Sequence, residues 1–172
     1  MLDRPSRCSA GSLLDFAFYP DAPEPTPAAI AAAAEEFHEL MHRSGWLWSP
    51  YNWPLEKRRF TKRLEDACAG TLVPVEHVKD IDRGAHEYLF EIRWKIKVLE
   101  QLPDGKRANR SVEVRLYHAE PSTMTDVFVG LHLHEKQIVK GNTRATRDLQ
   151  DAQIDIAIAR FHEGRPVHWG LP

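Results

Sequence analysis

Three consecutive stretches between Tyr88 and Ile138 alternate apolar and polar residues. A period of two is typical of strands that bury one face. Two polar breaks, residues 101–111 and 119–126, contain Gly, Pro, Asn, Ser and Asp and are predicted to be hairpin loops. The pattern therefore predicts an antiparallel meander, whose inward positions are Phe90, Ile92, Trp94 and Ile96, then Val112, Val114, Leu116 and His118, then Val127, Val129, Leu131 and Leu133.

The opposite parity of the same strands carries mostly cationic and aromatic side chains. An antiparallel sheet commonly leaves one face in water, so we expect these residues to form one exposed surface. Cations beside a phenol and two imidazoles suit the binding of a phosphodiester. The members of this surface are Arg93, Lys95, Lys97, Arg115, Tyr117, His132, His134 and Lys136.

The flanking segments predict one more strand and three helices. Residues 13–19 have strand propensity. Thr26 and Pro27 form a helix start, an N-cap followed by proline, and apolar residues then recur at helical spacing to about Ser44. Further helices are predicted over residues 54–69 and 146–162, whereas the polar residues 1–11 are expected to be a flexible tail.

These elements predict a single α+β domain over residues 1–172. Its length is enough to bury a proper core. We expect an antiparallel sheet of about four strands, with two N-terminal helices on one face and a C-terminal helix.

Four segments of the chain resemble motifs of the RelE/HigB-like toxins of bacterial toxin–antitoxin pairs, including their phage-derived branch. The order strand, helix, helix, meander, helix is also similar, and the similarity spans about residues 72–163. The succession of these motifs in one order carries the resemblance. The segments are Leu89-Phe90-Glu91-Ile92-Arg93, Val114-Arg115-Leu116-Tyr117, Leu131-His132-Leu133-His134-Glu135-Lys136, and Leu149-Gln150-Asp151-Ala152 leading to Arg160.

The resemblance implies a RelE-like fold and the toxin component of a type II toxin–antitoxin system. Such a protein would be an mRNA interferase, an endoribonuclease that acts on mRNA at the ribosome. It would have a cognate antitoxin, expected to be a small helix-turn-helix protein, and no cofactor. Arg93, Arg115 and Lys136 fall on matching motif positions.

Metal-independent RNA cleavage needs a base for the 2′-hydroxyl, cations at the phosphate and an acid for the leaving oxygen. His132 or His134 is the candidate base, since imidazole titrates near neutrality. The second histidine or Tyr117 is the candidate acid. The cations fall into two sets: Arg115 and Lys136 at the reacting phosphate, and Arg93, Lys95 and Lys97 in substrate binding.

Two other interpretations of the same residues are possible. Arg93 and Arg115 could simply pair with neighbouring glutamates across strands, which would leave a non-catalytic binding module. His132 and His134 could instead bind a metal, with His118 or His168 as a further ligand.

The net charge and the cysteines of the chain bear on its partners and on the compartment in which it acts. The net charge of −2 provides no overall attraction to nucleic acid, so any such site must be a local patch. Cys8 and Cys68 are expected to be free thiols in a reducing cytosol. No apolar run is long enough to span a membrane, and the N-terminus lacks a signal-peptide core. We therefore expect a cytoplasmic protein with no membrane partner.

Overall fold

The computed structural model describes residues 5–21, 24–81 and 88–171. They form a mixed five-stranded sheet with helices on both faces. Short 3-10 segments, Arg7–Ser9 and Arg165–Gly170, lie near the two ends. The main elements are β1 (Asp15–Phe18), α1 (Ala28–Arg43), α2 (Asn52–Cys68), β2 (Val78–Asp80), β3 (Leu89–Gln101), β4 (Arg107–Ala119), β5 (Val127–Glu135) and α3 (Thr143–Gly164).

The strand order is β1-β5-β4-β3-β2, and the α+β class and the antiparallel meander are confirmed. The sheet differs in two respects from the predicted antiparallel sheet of about four strands. The short strand β2 adds a fifth member, with Lys79 opposite Glu91 of β3. Strand β1 runs parallel to β5, a pairing that requires a long crossover, and α1, α2 and the meander provide it.

One face of the sheet packs against α1 and α2, as the alternation in β3 and β4 predicts. Phe37 of α1 stacks on Phe60 of α2 with ring centroids 4.3 Å apart, and Phe60 stacks on Trp94 of β3 at 4.6 Å. Leu116 of β4 is fully buried in the same cluster. This core therefore depends on aromatic rings from both helices and the central strands.

A bulge in β5 shifts the register of that strand by one residue. Tyr117 pairs with His132, whereas His118 pairs with Gly130, so Leu131 is the extra residue. Leu131 consequently joins the core on the face away from α1 and α2, while Leu133 belongs to the α1/α2 core. The prediction that the two leucines share one face is wrong because a bulge reverses the parity beyond it.

Helix α3 covers the second face of the sheet, hereafter the α3 face. Ile154 and Ala157 are buried there in a cluster that also contains Val129, Leu131 and Trp169. The bulge leaves apolar side chains on this face, and burying them removes apolar area from water. The open polar surface predicted from the alternation is therefore wrong for most of its length: Arg115, Tyr117 and His134 are buried, and only Lys95 and Lys97 are exposed.

Several element ends differ from their predicted positions. Thr26 does not cap α1, because its hydroxyl accepts a hydrogen bond from the backbone N of Phe16 at 2.7 Å. The hairpin between β3 and β4 is shorter than predicted, since pairing continues to Gln101 and Arg107. Helix α3 begins three residues early, where the side chain of Asn142 accepts from the backbone N of Ala145.

The N-terminal segment is packed against the domain from residue 5 onward in its described part. Ser6 and Cys8 are buried, and the side chain of Arg7 donates to the backbone oxygen of Met124 at 2.8 Å. The flexible tail expected over residues 1–11 therefore does not extend to these residues. Among the helices of the described ranges, none is long and apolar enough to cross a membrane.

Replacing Leu131 by Ala tests the α3-side core. Leu131 is fully buried, so loss of its side chain should lower the free energy of unfolding by about 2–5 kcal/mol. Ile156→Ala, at a residue of α3 that is 39% exposed, is the control and should change it by about 0.5 kcal/mol or less. Chemical denaturation measures both, and equal effects would contradict the burial of Leu131.

Candidate functional site

Polar side chains from three neighbouring strands lie in rows on the α3 face. One row places Glu91 of β3, Tyr117 of β4 and His132 of β5 side by side. The next row contains Arg93, Arg115 and His134. The structure thus brings together the two imidazoles, the phenol and both arginines that the alternation assigned to one face.

The remaining lysines lie toward the open end of this face. The backbone N of Lys136 donates to the oxygen of Glu113 at 2.8 Å, and its ammonium nitrogen lies 3.3 Å from Glu113 Oε2. Lys95 and Lys97 follow on β3 and are exposed. The three lysines therefore form the solvent-accessible edge of an otherwise covered polar layer.

Arg115 is held in a buried ion-pair network. Its Nη1 donates to Glu91 Oε2 at 2.8 Å, and its Nη2 donates to Glu113 Oε2 at 3.2 Å. Arg93 donates to the other oxygen of Glu91. Burial opposes the charge of Arg115, but the two glutamates outweigh it and raise the pKa of Arg115 above its usual value. The pairing of both arginines with glutamates, one of the alternatives left open above, is present in the structure.

Burial keeps both imidazoles neutral near pH 7. His134 is only 5% exposed, and desolvation, with a smaller effect of His132, lowers the pKa of His134 to about 4. Desolvation also lowers the pKa of His132, whose Nε2 lies 2.7 Å from Gln153 Oε1. The two rings stack nearly parallel with centroids 5.5 Å apart. Burial and then Glu91 raise the pKa of Tyr117 to about 12, so the phenol keeps its proton.

Two clefts open beside α3. The arginine cleft, about 680 Å³, is lined by the ion-pair network and by the side of α3 that carries Arg147 and Gln150. The histidine cleft, about 530 Å³, is reached from the side of α3 that carries Gln153 and Arg160. It is lined by Glu36, Leu40, Arg43, Ser44, His132, Leu133, His134, Glu135, Gln137, Gln153 and Arg160.

The amino-terminal half of α3 covers the polar rows but buries none of its own side chains against them. Its first eleven residues, Thr143–Gln153, contain no buried residue, and Ile154 is the first. Gln153 contacts His132, and further along Arg160 donates to the backbone oxygen of Leu131 at 2.7 Å. Local unfolding requires least free energy where few apolar contacts are lost, so this half of the helix is the weaker part of the cover.

Arg43 and Gln153 belong to the histidine cleft although no sequence pattern indicates them as site residues. Both lie on helices far along the chain from His132, and no local spacing links them. Arg160 and Glu91 appeared only within the motif similarity, apart from the expectation that neighbouring glutamates could pair with the arginines. The polar positions on α3 between its apolar residues are the one signal that points to this cleft.

The described residues do not support the metal alternative for His132 and His134. They contain a single group of at least three His, Cys, Asp or Glu ligand atoms close enough to share an ion, and neither histidine belongs to it. His118 lies on the other face, with its ring 5.7 Å from that of Phe90.

No family model, no curated protein and no solved structure matches this chain. The resemblance to RelE/HigB-like toxins therefore stays a prediction. The residues of the two clefts are the basis for a functional proposal.

The pKa of His134 predicts a pH-dependent stability. The folded pKa of about 4 lies below the unfolded value of about 6.5, so between these pH values the unfolded chain binds more protons. The contribution of His134 to the free energy of unfolding should therefore be fully present above about pH 6.5. It should be lost as the pH falls toward 4, which lowers the free energy of unfolding by on the order of 3 kcal/mol.

His134→Gln should reduce the dependence of the free energy of unfolding on pH, which denaturant titrations at several pH values measure. Part of the pH dependence should persist, because the pKa of His132 is also lowered. His162→Gln changes an exposed histidine of α3 and controls for the loss of a histidine as such. An unchanged slope in His134→Gln would contradict the neutral, buried imidazole.

Arg115→Met tests whether the buried network is structural. It removes the buried partner of Glu91 and leaves only the partly exposed Arg93, and loss of one partner of a buried ion pair typically costs about 3–5 kcal/mol. Adding Glu91→Gln should recover part of this loss. The control is Arg110→Met, because the Arg110–Glu100 pair is exposed and should contribute about 1 kcal/mol or less. Similar losses for both single variants, measured by denaturation, would argue against the network.

Proposed function

We propose that the protein is a RelE/HigB-like toxin and acts as a metal-independent endoribonuclease on mRNA at the ribosome. The observation that carries the proposal is the histidine cleft, where a neutral imidazole lies in the same cavity as two arginines. A base that is unprotonated at pH 7, next to the guanidinium groups of Arg43 and Arg160, is the combination that RNA cleavage without a metal requires. The carboxylates of Glu36 and Glu135 share this cavity and offset part of its positive charge.

His132 is the better candidate for the base. It is half-buried and lines the cleft, whereas His134 is almost fully buried and, with a pKa of about 4, is a weak proton acceptor. In the proposed reaction His132 takes the proton of the 2′-hydroxyl, and the resulting oxyanion attacks the phosphorus. The P–O5′ bond breaks, which leaves a cyclic 2′,3′-phosphate and a 5′-hydroxyl.

Arg43 and Arg160 take the phosphate-binding role expected of Arg93 and Arg115. The latter two are already neutralised by Glu91 and Glu113, so their charge is largely unavailable to a substrate. Lys136 lies two residues beyond His134 on the same face and, with Lys95 and Lys97, would hold the RNA backbone at the open edge. Tyr117, which keeps its proton, would supply the proton to the leaving oxygen. His134 fits the acid role less well, because its imidazole is neutral near pH 7.

Access to His132 requires a change in the cover. Its Nε2 is engaged by Gln153, and its Nδ1 is buried without a hydrogen bond among the described residues. The amino-terminal half of α3 would have to move away for a ribose to reach the imidazole. That half contains no buried residue, so its displacement would sacrifice polar contacts rather than core packing.

A non-catalytic module that binds a protein partner is the second candidate. It is favoured by a groove of about 490 Å³ on the opposite side of the molecule, between α2 and β3. Leu55, Trp94 and Ile96 contribute apolar surface to the groove, and Arg58, Arg59 and Lys62 contribute cationic side chains. An acidic amphipathic segment, such as part of an antitoxin, has complementary chemistry.

Inducible expression in bacteria tests the enzyme directly. The wild type should arrest growth and cleave ribosome-bound mRNA. His132→Gln should reduce cleavage by about 10²–10⁴-fold as a general base is lost, and Arg160→Gln by about 10²–10³-fold as a phosphate contact is lost. These variants are preferable to Arg115→Ala, which would disturb the buried network as well.

The control for both is Arg58→Gln, a cation on the α2 side, which should leave cleavage at the wild-type rate. Circular dichroism and thermal unfolding of each variant separate loss of activity from loss of fold. A wild type that neither arrests growth nor cleaves mRNA would exclude the endoribonuclease. Capture of an acidic partner that Arg58→Gln weakens would then identify the binding module.

A further inference from the structure

A second polar cluster lies on the α1/α2 side of the sheet, away from the two clefts. It joins the N-terminal 3-10 segment to the end of β4 and contains Cys8, His118 and Glu120, which are 0%, 0% and 6% exposed. We propose that these three residues form a closed binding site for one divalent metal ion of the zinc class. The site is independent of the proposed ribonuclease.

The spacing of the three donor atoms fits tetrahedral coordination. Cys8 Sγ lies 3.8 Å from His118 Nε2, which lies 3.2 Å from Glu120 Oε1, and all three atoms are within 4.8 Å of one another. Zinc binds sulfur at about 2.3 Å and nitrogen or oxygen at about 2.0–2.1 Å, so two tetrahedral ligands lie about 3.3–3.6 Å apart. Small shifts of side chains would therefore complete one face of the tetrahedron.

The surroundings direct these atoms toward one point. The Oε2 of Glu120 accepts from the backbone N of Arg7 at 2.8 Å, which leaves Oε1 facing the cluster. The Oγ of Ser6 donates to Oε1 of Glu120 and accepts from the backbone N of Cys8. Such outer partners are what orient the ligands of metal sites. The Oγ of Ser6 is available as the fourth ligand.

The imidazole is positioned by packing rather than by other hydrogen bonds. The ring of His118 lies 5.7 Å from Phe90 and 5.5 Å from Phe128. Its Nδ1 has no hydrogen-bond partner among the described residues, so the polar contacts of the ring are those of Nε2. An apolar enclosure without an open position is typical of structural rather than catalytic metal sites.

Cysteine and histidine together favour zinc over calcium or magnesium, which prefer oxygen ligands. Binding replaces the thiol proton of Cys8, which leaves to solvent, and the ring proton of His118 moves from Nε2 to Nδ1. The ion would tie Ser6–Cys8 to the strand end more than a hundred positions later in the chain. Removal of the metal should therefore loosen the N-terminal segment first.

The test uses the full chain and the metal ions themselves. After loading with Zn²⁺ and dialysis, the wild type and Cys68→Ser should retain about one zinc per chain. Cys8→Ser and Glu120→Gln should bind zinc more weakly by at least the roughly 10–100-fold typical of lost outer partners. Zinc should raise the melting temperature of the wild type and of Cys68→Ser. It should leave the melting temperatures of Cys8→Ser and Glu120→Gln nearly unchanged.

Loading with Co²⁺ keeps the test decisive if a variant fails to fold. The wild type and Cys68→Ser should both show a thiolate-to-cobalt charge-transfer band with visible bands of tetrahedral intensity, which assigns the thiolate to Cys8. Three results would overturn the site: no zinc retained by the wild type, zinc retained equally by Cys8→Ser, or a cobalt spectrum without the charge-transfer band. In each case the cluster would be a hydrogen-bonded structural group only.

Discussion

The extra residue at Leu131 is the constraint on which the α3 face depends. Without the bulge, Val127, Val129, Leu131 and Leu133 would share one face of β5, and His132 and His134 would share the other with Phe128 and Gly130. With the bulge, Val129 and Leu131 lie on the same face as His132 and His134. That face then needs a cover, and α3 supplies it by burying Ile154 and Ala157 against the apolar half.

The polar half of the same face is covered as a consequence. Burial of a charged group is tolerated when it is paired and hydrogen-bonded, and the Glu91–Arg115 pair meets this condition. Burial of an imidazole is tolerated when it stays neutral, which is how His134 behaves. The cover therefore explains both why the charge of Arg115 is compensated within the fold and why the two histidines are neutral.

The opposite face of the sheet is organised differently. Aromatic stacking between Phe37, Phe60 and Trp94 joins the helices to the strands. Polar groups enter this layer at Glu56 of α2, which is fully buried, and at the margin, where Cys8 and Glu120 meet His118. The N-terminal segment thus contributes to the fold through a small buried cluster, and its contacts join residues more than a hundred positions apart in the chain.

The sequence by itself determined the elements whose pattern is local. The alternation in β3 and β4 and the apolar spacing of the helices identify strands, helices and one buried face, because a side chain's direction follows from backbone geometry. It also placed Arg93, Arg115 and His134 on a common parity. The bulge, the cover by α3 and the meeting of Cys8 with His118 were decided only by the tertiary structure. These features depend on which distant segments fill the space around a side chain, and local periodicity carries no information about that choice.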